Sequence, residues 1–319
     1  MVRAMWGGAA MSALERASVA VIGCGLIGIS WAALLRFHGH DVIAWDPSDA
    51  ARENMAEAME HPLAQLRELG GGQTATGRFS IAPTLQQAVR TAQIVQENGP
   101  ERLEVKRALY RDIFAAAPTD AIISSSTSSL IWRDLAAEAG TDARRIVTAH
   151  PFNPPHLMPL VELFAADDAV RQRAAAFYRG LGREVVSLRK DAVGHIANRL
   201  ASALWREAVH IVAEGIADVE DVDRALVHGP GLRWSVVGAH MGYHLGGGAG
   251  GMAHYLDHLG ASQERRWASL GQPALTEAVK EKLIAGIGAE TRGRSIQDLE
   301  TARDAQLIAI LKAKGGLDV

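Results

Sequence analysis

The chain has 319 residues, of which 48% are hydrophobic and 22% are charged, and its net charge is −3 at pH 7. This composition is typical of a globular protein with two domains, or one large one, and enough apolar side chains for a core. The slightly acidic balance predicts no nucleic-acid partner and no membrane partner. The one cysteine, Cys24, excludes an internal disulfide and indicates a reducing compartment, for which we expect the cytoplasm.

The first residues, 1–17, lack a continuous apolar segment, so we predict an N-terminal extension there rather than a signal peptide. From 18 to 189, short apolar runs alternate with amphipathic helical stretches. The runs predict strands at Val19–Ile22, Val42–Trp45, Phe79–Ala82, Ile94–Gln96, Ala121–Ser124, Ile146–Ala149, Pro159–Leu163 and Glu184–Leu188. The intervening helices are predicted at Ile29–Phe37, Ala50–Leu69, Leu103–Ala116, Ile131–Ala139 and Ala169–Leu181. This alternation is typical of a doubly wound, mostly parallel α/β sheet.

Beyond residue 189 the strand pattern ends, and we predict an all-α domain over 190–319. Helices are expected at Val193–Ala217, Leu275–Ile287 and Ile296–Lys314, with another that begins at the N-cap residue Asp218. The segment 229–251 is rich in glycine and aromatic residues. We predict that it forms a loop that shapes a pocket, and an irregular connector is the alternative.

The motif Gly23-Cys24-Gly25-Leu26-Ile27-Gly28 directly follows the first predicted strand. In such a motif the first glycine permits a tight turn, the second lets a pyrophosphate approach, and the third lets helix and strand pack closely. The pyrophosphate would bind the helix N-terminus, near Leu26 and Ile27. Asp46 ends the second predicted strand, where a carboxylate accepts both ribose hydroxyls and repels a 2′-phosphate. We therefore predict a Rossmann-like sheet that binds NAD rather than NADP; a glycine-rich turn without a ligand is the alternative.

Four further polar residues lie near predicted strand ends or at the start of a helix: Ser128, His150, Glu162 and Asn198. Oxidation of a secondary alcohol needs a base for the hydroxyl proton and an acceptor for the hydride. His150 suits the base, because histidine has an unperturbed pKa of about 6.5. Glu162 suits a partner that fixes the imidazole tautomer, and Ser128 and Asn198 can hydrogen-bond the reacting oxygen. Taken singly, each residue also fits an ordinary structural role.

At these residues the chain resembles the 3-hydroxyacyl-CoA dehydrogenase superfamily, from about Ser18 onward. The shared motifs are Gly23-x-Gly25-x-x-Gly28, Glu97-Asn98-x-Pro100-Glu101-x-Leu103-x-x-Lys106, Ser126-Thr127-Ser128-Ser129-Leu130, His150-Pro151-Phe152-Asn153-Pro154, Leu160-Val161-Glu162 and Gly194-x-x-x-Asn198-Arg199-Leu200. The resemblance implies a catalytic centre of Ser128, His150, Glu162 and Asn198. To the cofactor site it adds Glu101, Lys106, Ser128 and Asn153. It also implies a homodimer formed largely through the helical domain.

Within the superfamily, the second half is similar to the carnitine 3-dehydrogenase branch, on Trp205-Arg206-Glu207-Ala208, Gly231-Leu232-Arg233-Trp234, His244-Leu245-Gly246-Gly247-Gly248 and Gly293-Arg294-Ser295-Ile296. The stretch 150–162 also resembles L-gulonate 3-dehydrogenase, or lambda-crystallin. Both branches oxidise a free 3-hydroxy acid without CoA. The chain has no lysine before Lys106, whereas the CoA enzymes use one after the second strand. However, 236–243 differs from the pattern expected of the carnitine branch, and Ala249 stands where an acidic residue is common.

The sequence thus predicts NAD-dependent oxidation of a small L-3-hydroxy acid to the 3-oxo acid. For a carnitine-like substrate, Arg233 is a candidate for the carboxylate, and Phe152, Trp234 and Tyr243 are candidates for the quaternary ammonium. One alternative is an L-3-hydroxyacyl-CoA dehydrogenase, and another is a structural protein that binds the cofactor without turnover. We expect no metal, since the His-x-x-x-His pairs at 240–244 and 254–258 carry no matching acid or cysteine.

Overall fold

The structure, a computed structural model, describes residues 16–70 and 77–315, so the predicted extension over 1–17 lies almost wholly outside the described residues. The strands are β1 (Ser18–Ile22), β2 (Asp41–Trp45), β3 (Phe79–Ile81), β4 (Ile94–Glu97), β5 (Ile122–Ser125), β6 (Ile146–Pro151), β7 (Leu160–Phe164) and β8 (Glu184–Ser187). The helices among them are α1 (Leu26–Phe37), α2 (Asp49–Ala58), α3 (Glu60–Leu69), α4 (Leu85–Val89), α5 (Leu103–Ala116), α6 (Trp132–Ala136) and α7 (Asp168–Gly180), and a 3₁₀ helix covers Gly140–Arg145.

The strands form one sheet in the order β3-β2-β1-β4-β5-β6-β7-β8, and every neighbouring pair is parallel except β6 and β7. The predicted doubly wound, mostly parallel fold is confirmed. The connection 152–159 between β6 and β7 contains no helix, and it is shorter than a parallel crossover needs. Strand β7 therefore runs back along β6.

Both faces of the sheet are buried, because successive residues of each strand point to opposite faces. In β1, Val19 and Val21 pack in one apolar cluster, whereas Ala20 and Ile22 pack in the other. The first cluster contains residues of α1, α3 and α7, and the second contains residues of α4 and α5. Because the parallel strands run in the same direction, their carboxyl ends lie at one edge of the sheet. Ligands bind at this edge in such sheets.

The second part of the chain is helical, as expected. Its helices are α8 (Ala197–Ala213), α9 (Val219–His228), α10 (Pro230–Trp234), α11 (Ala239–Gly246), α12 (Gly251–Ala268), α13 (Glu277–Thr291) and α14 (Ile296–Lys314), with a 3₁₀ turn at Gly248–Gly250. Asp218 caps α9 by accepting a hydrogen bond from the N–H of Asp221, as its sequence position predicts. In the described residues, we find no helix with the length and apolar character that crossing a membrane requires.

The chain divides into two compact units. The first comprises the described residues up to Arg199 together with Leu307–Gly315, and the second comprises Leu200–Gln306. The last turns of α14 belong to the first unit because Ile308 and Leu311 pack against Leu69 and Leu157. The division therefore falls inside α8, ten residues beyond the sequence boundary at residue 189.

Three helical predictions need correction. The predicted helix Ala50–Leu69 is two helices, because Pro62 has no N–H for the carbonyl of Ala58, at which α2 ends. The helix predicted over Val193–Ala217 begins only at Ala197, the first residue of α8, because Gly194 and His195 adopt positive φ values of 73° and 49°. The predicted loop 229–251 is mostly helical.

In that segment, Pro230 occupies the first turn of α10, where its fixed φ suits a helix, and Gly238 precedes α11. The glycines therefore separate short helices rather than build one long loop. Helix α12 has no counterpart among the predicted elements.

Candidate active site

The glycine-rich turn between β1 and α1 has the geometry that a dinucleotide needs. Gly23 has a φ of 97°, and a Cβ there would lie 2.7 Å from the carbonyl oxygen of Asn98. A Cβ on Gly28 would lie 1.8 Å from the oxygen of Gly23, so α1 reaches the strand only because this residue is glycine. In contrast, a Cβ on Gly25 would meet nothing within 4 Å, which leaves open space over the turn.

The N-terminus of α1 is suited to an anion. Gly25 is its N-cap residue, no side chain caps it, and its first turn contains no acid. The unpaired N–H groups and the helix dipole therefore favour a negatively charged ligand. Leu26 is exposed and Ile27 is half-buried, so both predicted contacts lie at the open end of the helix. This turn fits the pyrophosphate of NAD.

Asp46 lies directly beside the same turn. Its Oδ2 accepts a hydrogen bond of 2.9 Å from the N–H of Cys24, and its Oδ1 accepts one of 2.9 Å from Ser48. These bonds hold the carboxylate next to the β1–α1 turn, at the end of β2, as the sequence predicts. A carboxylate at this place binds ribose hydroxyls and repels a phosphate on them.

Glu101 organises the serine-rich loop that follows β5. Its Oε1 accepts hydrogen bonds from Oγ1 of Thr127 and from the backbone N–H groups of Ser128 and Ser129, at 2.7–2.8 Å. Burial raises the pKa of Glu101, but the hydrogen bonds from Thr127 and Ser129 and the charge of Lys106 outweigh burial and lower it to about 2. An ionised carboxylate therefore fixes the loop that carries Ser128.

Lys106 is buried, and its ammonium group is engaged by the protein. Its Nζ lies 2.8 and 3.0 Å from the two oxygens of Glu97 and 3.2 Å from the carbonyl of Gly99. Glu101 is also near, at 3.8 Å. Tyr110 and Ser125 donate further hydrogen bonds to Glu97. The cluster holds the segment 97–101 beside the glycine-rich turn, and contact of Lys106 with a cofactor stays a prediction.

His150 and Glu162 form a buried pair. They are directly opposite each other in the antiparallel β6–β7 ladder, and Nδ1 of His150 lies 2.9 Å from Oε2 of Glu162. The sequence placed Glu162 at the end of a strand, but it is the third residue of β7. The pair meets because β7 is antiparallel to β6, not because two strand ends converge.

Glu162 is held as a carboxylate. Burial raises its pKa, but hydrogen bonds from His150 and from the N–H groups of Ala197 and Ile196 lower it overall. Because an ionised carboxylate only accepts hydrogen bonds, the shared proton belongs to Nδ1 of His150. In the neutral ring, Nε2 is then the basic atom, which is the form a general base needs.

The segment 195–198 fastens this pair to the serine-rich loop. The N–H groups of Ile196 and Ala197 donate to Oε1 of Glu162 at 2.8 and 3.0 Å. Asn198 is the second residue of α8, and its Nδ2 donates to the carbonyl of Ser128 at 3.3 Å. The structure therefore links the four predicted residues through one continuous set of contacts.

His195 is a residue that the sequence reasoning missed. Its ring centroid lies 4.9 Å from that of His150, and its Nε2 lies 3.2 Å from the carbonyl oxygen of Thr127. The motif Gly194-x-x-x-Asn198 leaves this position unspecified. The sequence signal that could have identified His195 is a titratable side chain between the motif residues Gly194 and Asn198.

The remaining candidates lie in both units. In the first, the ring of Phe152 packs edge-on to His150 at 6.3 Å, and Asn153 is exposed in the loop after β6. In the second, Arg233 and Trp234 are exposed on α10, and Tyr243 on α11 pairs with Tyr255 at 5.0 Å.

Arg233 and Tyr243 lie on neighbouring helices of the second unit. A Cβ on Gly242 would lie 3.9 Å from Cδ of Arg233, so the Arg233 side chain approaches α11 at Gly242. Contact of Arg233, Trp234 and Tyr243 with a substrate stays a prediction.

The chain matches known NAD-dependent oxidoreductases that act on CH–OH groups over nearly its whole length, and it is an enzyme of this class. The sequence model of the NAD-binding domain of 3-hydroxyacyl-CoA dehydrogenase matches residues 18–192, and that of the C-terminal domain matches residues 194–286. The chain belongs to the 3-hydroxyacyl-CoA dehydrogenase family. The resemblance identified from the motifs is confirmed, and with it NAD as the cofactor.

Individual relatives cover most of both chains. An L-carnitine dehydrogenase of Streptomyces griseus is 43% identical over 94% of this chain and 90% of that protein. One from a Pseudomonas species is 40% identical over 93% of each. A crystal structure of 5-formyl-3-hydroxy-2-methylpyridine 4-carboxylic acid 5-dehydrogenase, an NAD⁺-dependent dismutase, is 27% identical with a TM-score of 0.82, and it covers 94% of this chain and 99% of that chain.

Proposed function

We propose that this chain oxidises L-carnitine, or a free L-3-hydroxy acid of similar size, to the 3-oxo acid with NAD. The observation that carries the proposal is the buried His150–Glu162 hydrogen bond of 2.9 Å, which leaves Nε2 of His150 as the basic atom. The names of the relatives, L-carnitine dehydrogenase, support a free acid rather than a thioester.

In this mechanism the residues of the chain handle the proton and the orientation. His150 takes the hydroxyl proton at Nε2, and Glu162 stabilises the resulting imidazolium. Oγ of Ser128 and Nδ2 of Asn198 hydrogen-bond the reacting oxygen as it becomes a carbonyl. NAD, when bound, supplies the acceptor for the hydride.

For the cofactor, we assign the turn Gly23–Gly28 to the pyrophosphate and Asp46 to the ribose hydroxyls. Glu101, Lys106, Ser128 and Asn153 complete the site on the side of the serine-rich loop. Support for this assignment comes from the open space over Gly25 and from the carboxylate that Cys24 holds beside the turn. These residues would bind NAD without taking part in the proton transfer.

For the substrate, opposite charges at the two ends of a carnitine-like molecule need two kinds of partner. Arg233 suits the carboxylate, because guanidinium can bind it through two parallel hydrogen bonds. In the second unit, Trp234 and Tyr243 suit the quaternary ammonium through cation–π contacts, and in the first unit the ring of Phe152 is a separate candidate for it. The proximity of Arg233 to α11, which carries Tyr243, supports placing the two partners on neighbouring helices.

A substrate panel tests this function. Purified protein would be assayed for NADH with L-carnitine, L-gulonate, 3-hydroxybutyrate and 3-hydroxybutyryl-CoA, each with NAD and with NADP. We expect kcat/KM for a free acid to exceed that for the CoA ester by about 100-fold or more, because the site would bind the free carboxylate. NADP should be the poorer cofactor, since Asp46 repels its 2′-phosphate.

Other outcomes of the panel have definite meanings. A faster reaction with the CoA ester would replace the proposal by an acyl-CoA dehydrogenase. NAD binding without NADH formation on any hydroxy acid would favour a non-enzymatic, cofactor-binding protein.

We also propose that residues 18–189 form the NAD-binding domain and residues 190–319 form a helical domain for substrate binding and dimerisation, in a cytoplasmic enzyme. Exposed apolar side chains of the second unit support a covered surface there: they include Trp205, Val227, Leu232, Leu256, Trp267, Ile284 and Ile287. The buried thiol of the one cysteine supports a reducing compartment.

Light scattering after size exclusion tests the homodimer. We expect a mass of twice the 34.1 kDa of one chain. Substituting Ile284 and Ile287 on α13 by glutamate should lower that mass towards one chain, because carboxylates would then have to be buried in the interface. A mass of one chain for the unchanged protein at micromolar concentration would contradict the dimer.

A further inference from the structure

His195 is a second buried imidazole beside the proposed base. It is 1% exposed, and its ring lies at 38° to that of His150 with the centroids 4.9 Å apart. Its Nε2 faces the carbonyl oxygen of Thr127, which can only accept, so the proton of the neutral ring is on Nε2. Its Nδ1 is buried and makes no hydrogen bond to any described residue.

The backbone of His195 is as unusual as its side chain. Its φ of 49° lies in the left-handed region, which only a few per cent of residues other than glycine adopt, histidine more often than most. Directly after this turn, the N–H groups of Ile196 and Ala197 both point to Oε1 of Glu162. The carbonyl of Thr127 anchors the ring and thereby helps to keep this turn in place.

His195 is the member of the pair that favours the neutral form. Burial lowers the pKa of His195, and the neighbouring His150 lowers it further, against smaller opposing effects of Thr127, Glu162 and Asp191. Among the described residues, His150, Glu162 and Asp191 are the titratable groups whose charges act on this ring. Because two imidazolium ions at this separation repel each other, and Glu162 touches His150, His195 stays neutral when His150 takes a proton.

We propose that His195 is a positioning residue for the reaction assigned to His150. Its ring fixes the plane of the His150 imidazole, its Nε2–H fixes the carbonyl that precedes Ser128, and its backbone turn directs two N–H groups onto Glu162. This inference rests on the proposed function, because it requires His150 to be the base.

Two variants distinguish the contribution of the His195 ring to kcat from the contribution of its hydrogen bond to Thr127. His195→Phe keeps a ring of similar size and removes the donor to Thr127. His195→Gln keeps an amide donor near the position of Nε2 and removes the ring. We expect each to lower kcat about tenfold or more, because misplacing a reacting group by a fraction of an ångström is costly. The Kd for NAD, measured by protein fluorescence, should stay within about twofold and the Tm within a few degrees.

The pH profile of kcat/KM provides a readout that a merely structural residue would not move. In His195→Gln, water reaches His150 and favours its imidazolium form, so the acid limb moves to higher pH. In His195→Phe the surroundings stay apolar and no charge is lost, so the acid limb stays where it is.

Three results would overturn the inference while the wild type remains active. They are near-normal kcat in both variants, loss of kcat only in proportion to NAD affinity and Tm, and a shifted acid limb in His195→Phe. The last would mean that His195 carries a proton in the working range. A wild type that forms no NADH from any 3-hydroxy acid would instead overturn the proposed function, and this inference with it.

Discussion

Replacing His150 by asparagine is expected to lower kcat by about 10³-fold, within the range that general acid–base catalysis contributes. The asparagine amide nitrogen takes the place of Nδ1, so it can still donate an N–H to Oε2 of Glu162 and the buried carboxylate keeps a partner. No basic atom remains to accept the hydroxyl proton. Steady-state kinetics with L-carnitine and NAD would give kcat, and fluorescence titration would give the Kd for NAD, which should be nearly unchanged.

His258→Asn is a suitable control for this substitution. His258 is exposed on α12, its Nδ1 bonds the carbonyl of His254 one turn earlier, and it has no assigned part in the reaction. The control should keep the wild-type kcat. Near-normal turnover in His150→Asn would exclude His150 as the base, and an equal loss in both variants would indicate a general effect on the protein.

The sheet was predictable because its signals are local. Each strand is a short apolar run between polar segments, because a strand that is buried on both faces is apolar along its whole length. The glycine-rich turn was predictable for the same reason, since Gly23, Gly25 and Gly28 act on neighbours within one turn. The acid Asp46 follows from this pattern because the next parallel strand must end beside the turn.

The catalytic pair was predictable only as residue types. His150 and Glu162 were identified, but the expectation that they meet where two strands end was wrong. They meet as opposite residues of a ladder, since β7 runs antiparallel to β6. The short connection 152–159 sets the direction of β7, and the gap between the predicted strands Ile146–Ala149 and Pro159–Leu163 already indicated that a parallel crossover does not fit there. Pairing within a sheet is a long-range property, and the register sets the 2.9 Å contact.

The backbone conformation of the segment 194–197 was beyond sequence reasoning. A periodic apolar pattern suggested a helix from Val193, but Gly194 and His195 turn the chain first, and α8 starts at Ala197. Tertiary hydrogen bonds override the helical pattern, because the carbonyl of Thr127 accepts from the His195 ring and Glu162 accepts from two backbone N–H groups. An apolar pattern indicates which residues suit a helix. It does not indicate that the carboxylate of Glu162 accepts hydrogen bonds from the N–H groups of Ile196 and Ala197.

Replacing Glu162 by glutamine is expected to lower kcat by about 10⁴-fold, as happens when an amide takes the place of the carboxylate in a histidine–carboxylate pair. Oε1 of Glu162 faces two N–H donors, so the amide oxygen of glutamine takes that position. Its NH₂ group then faces Nδ1 of His150. Nδ1 must accept instead of donate, the ring proton moves to Nε2, and the basic atom no longer faces the substrate.

The pH dependence of this variant distinguishes a wrong tautomer from a damaged fold. Without the carboxylate the imidazolium is less stable, so the acid limb of the residual activity should move to lower pH. Because the pKa of Glu162 is lowered on folding, its contribution to stability is present above the ordinary carboxyl pKa and is lost as pH falls through the lowered value. The stability difference between wild type and variant should therefore shrink in acid.

Glu184→Gln is the matched control, since Glu184 is exposed at the start of β8. It should keep the wild-type kcat and acid limb. A Glu162→Gln enzyme with an unmoved acid limb and near-normal kcat would show that the carboxylate does not act on His150. A variant that loses NAD affinity as strongly as kcat would instead assign Glu162 to holding α8, through the N–H groups of Ile196 and Ala197.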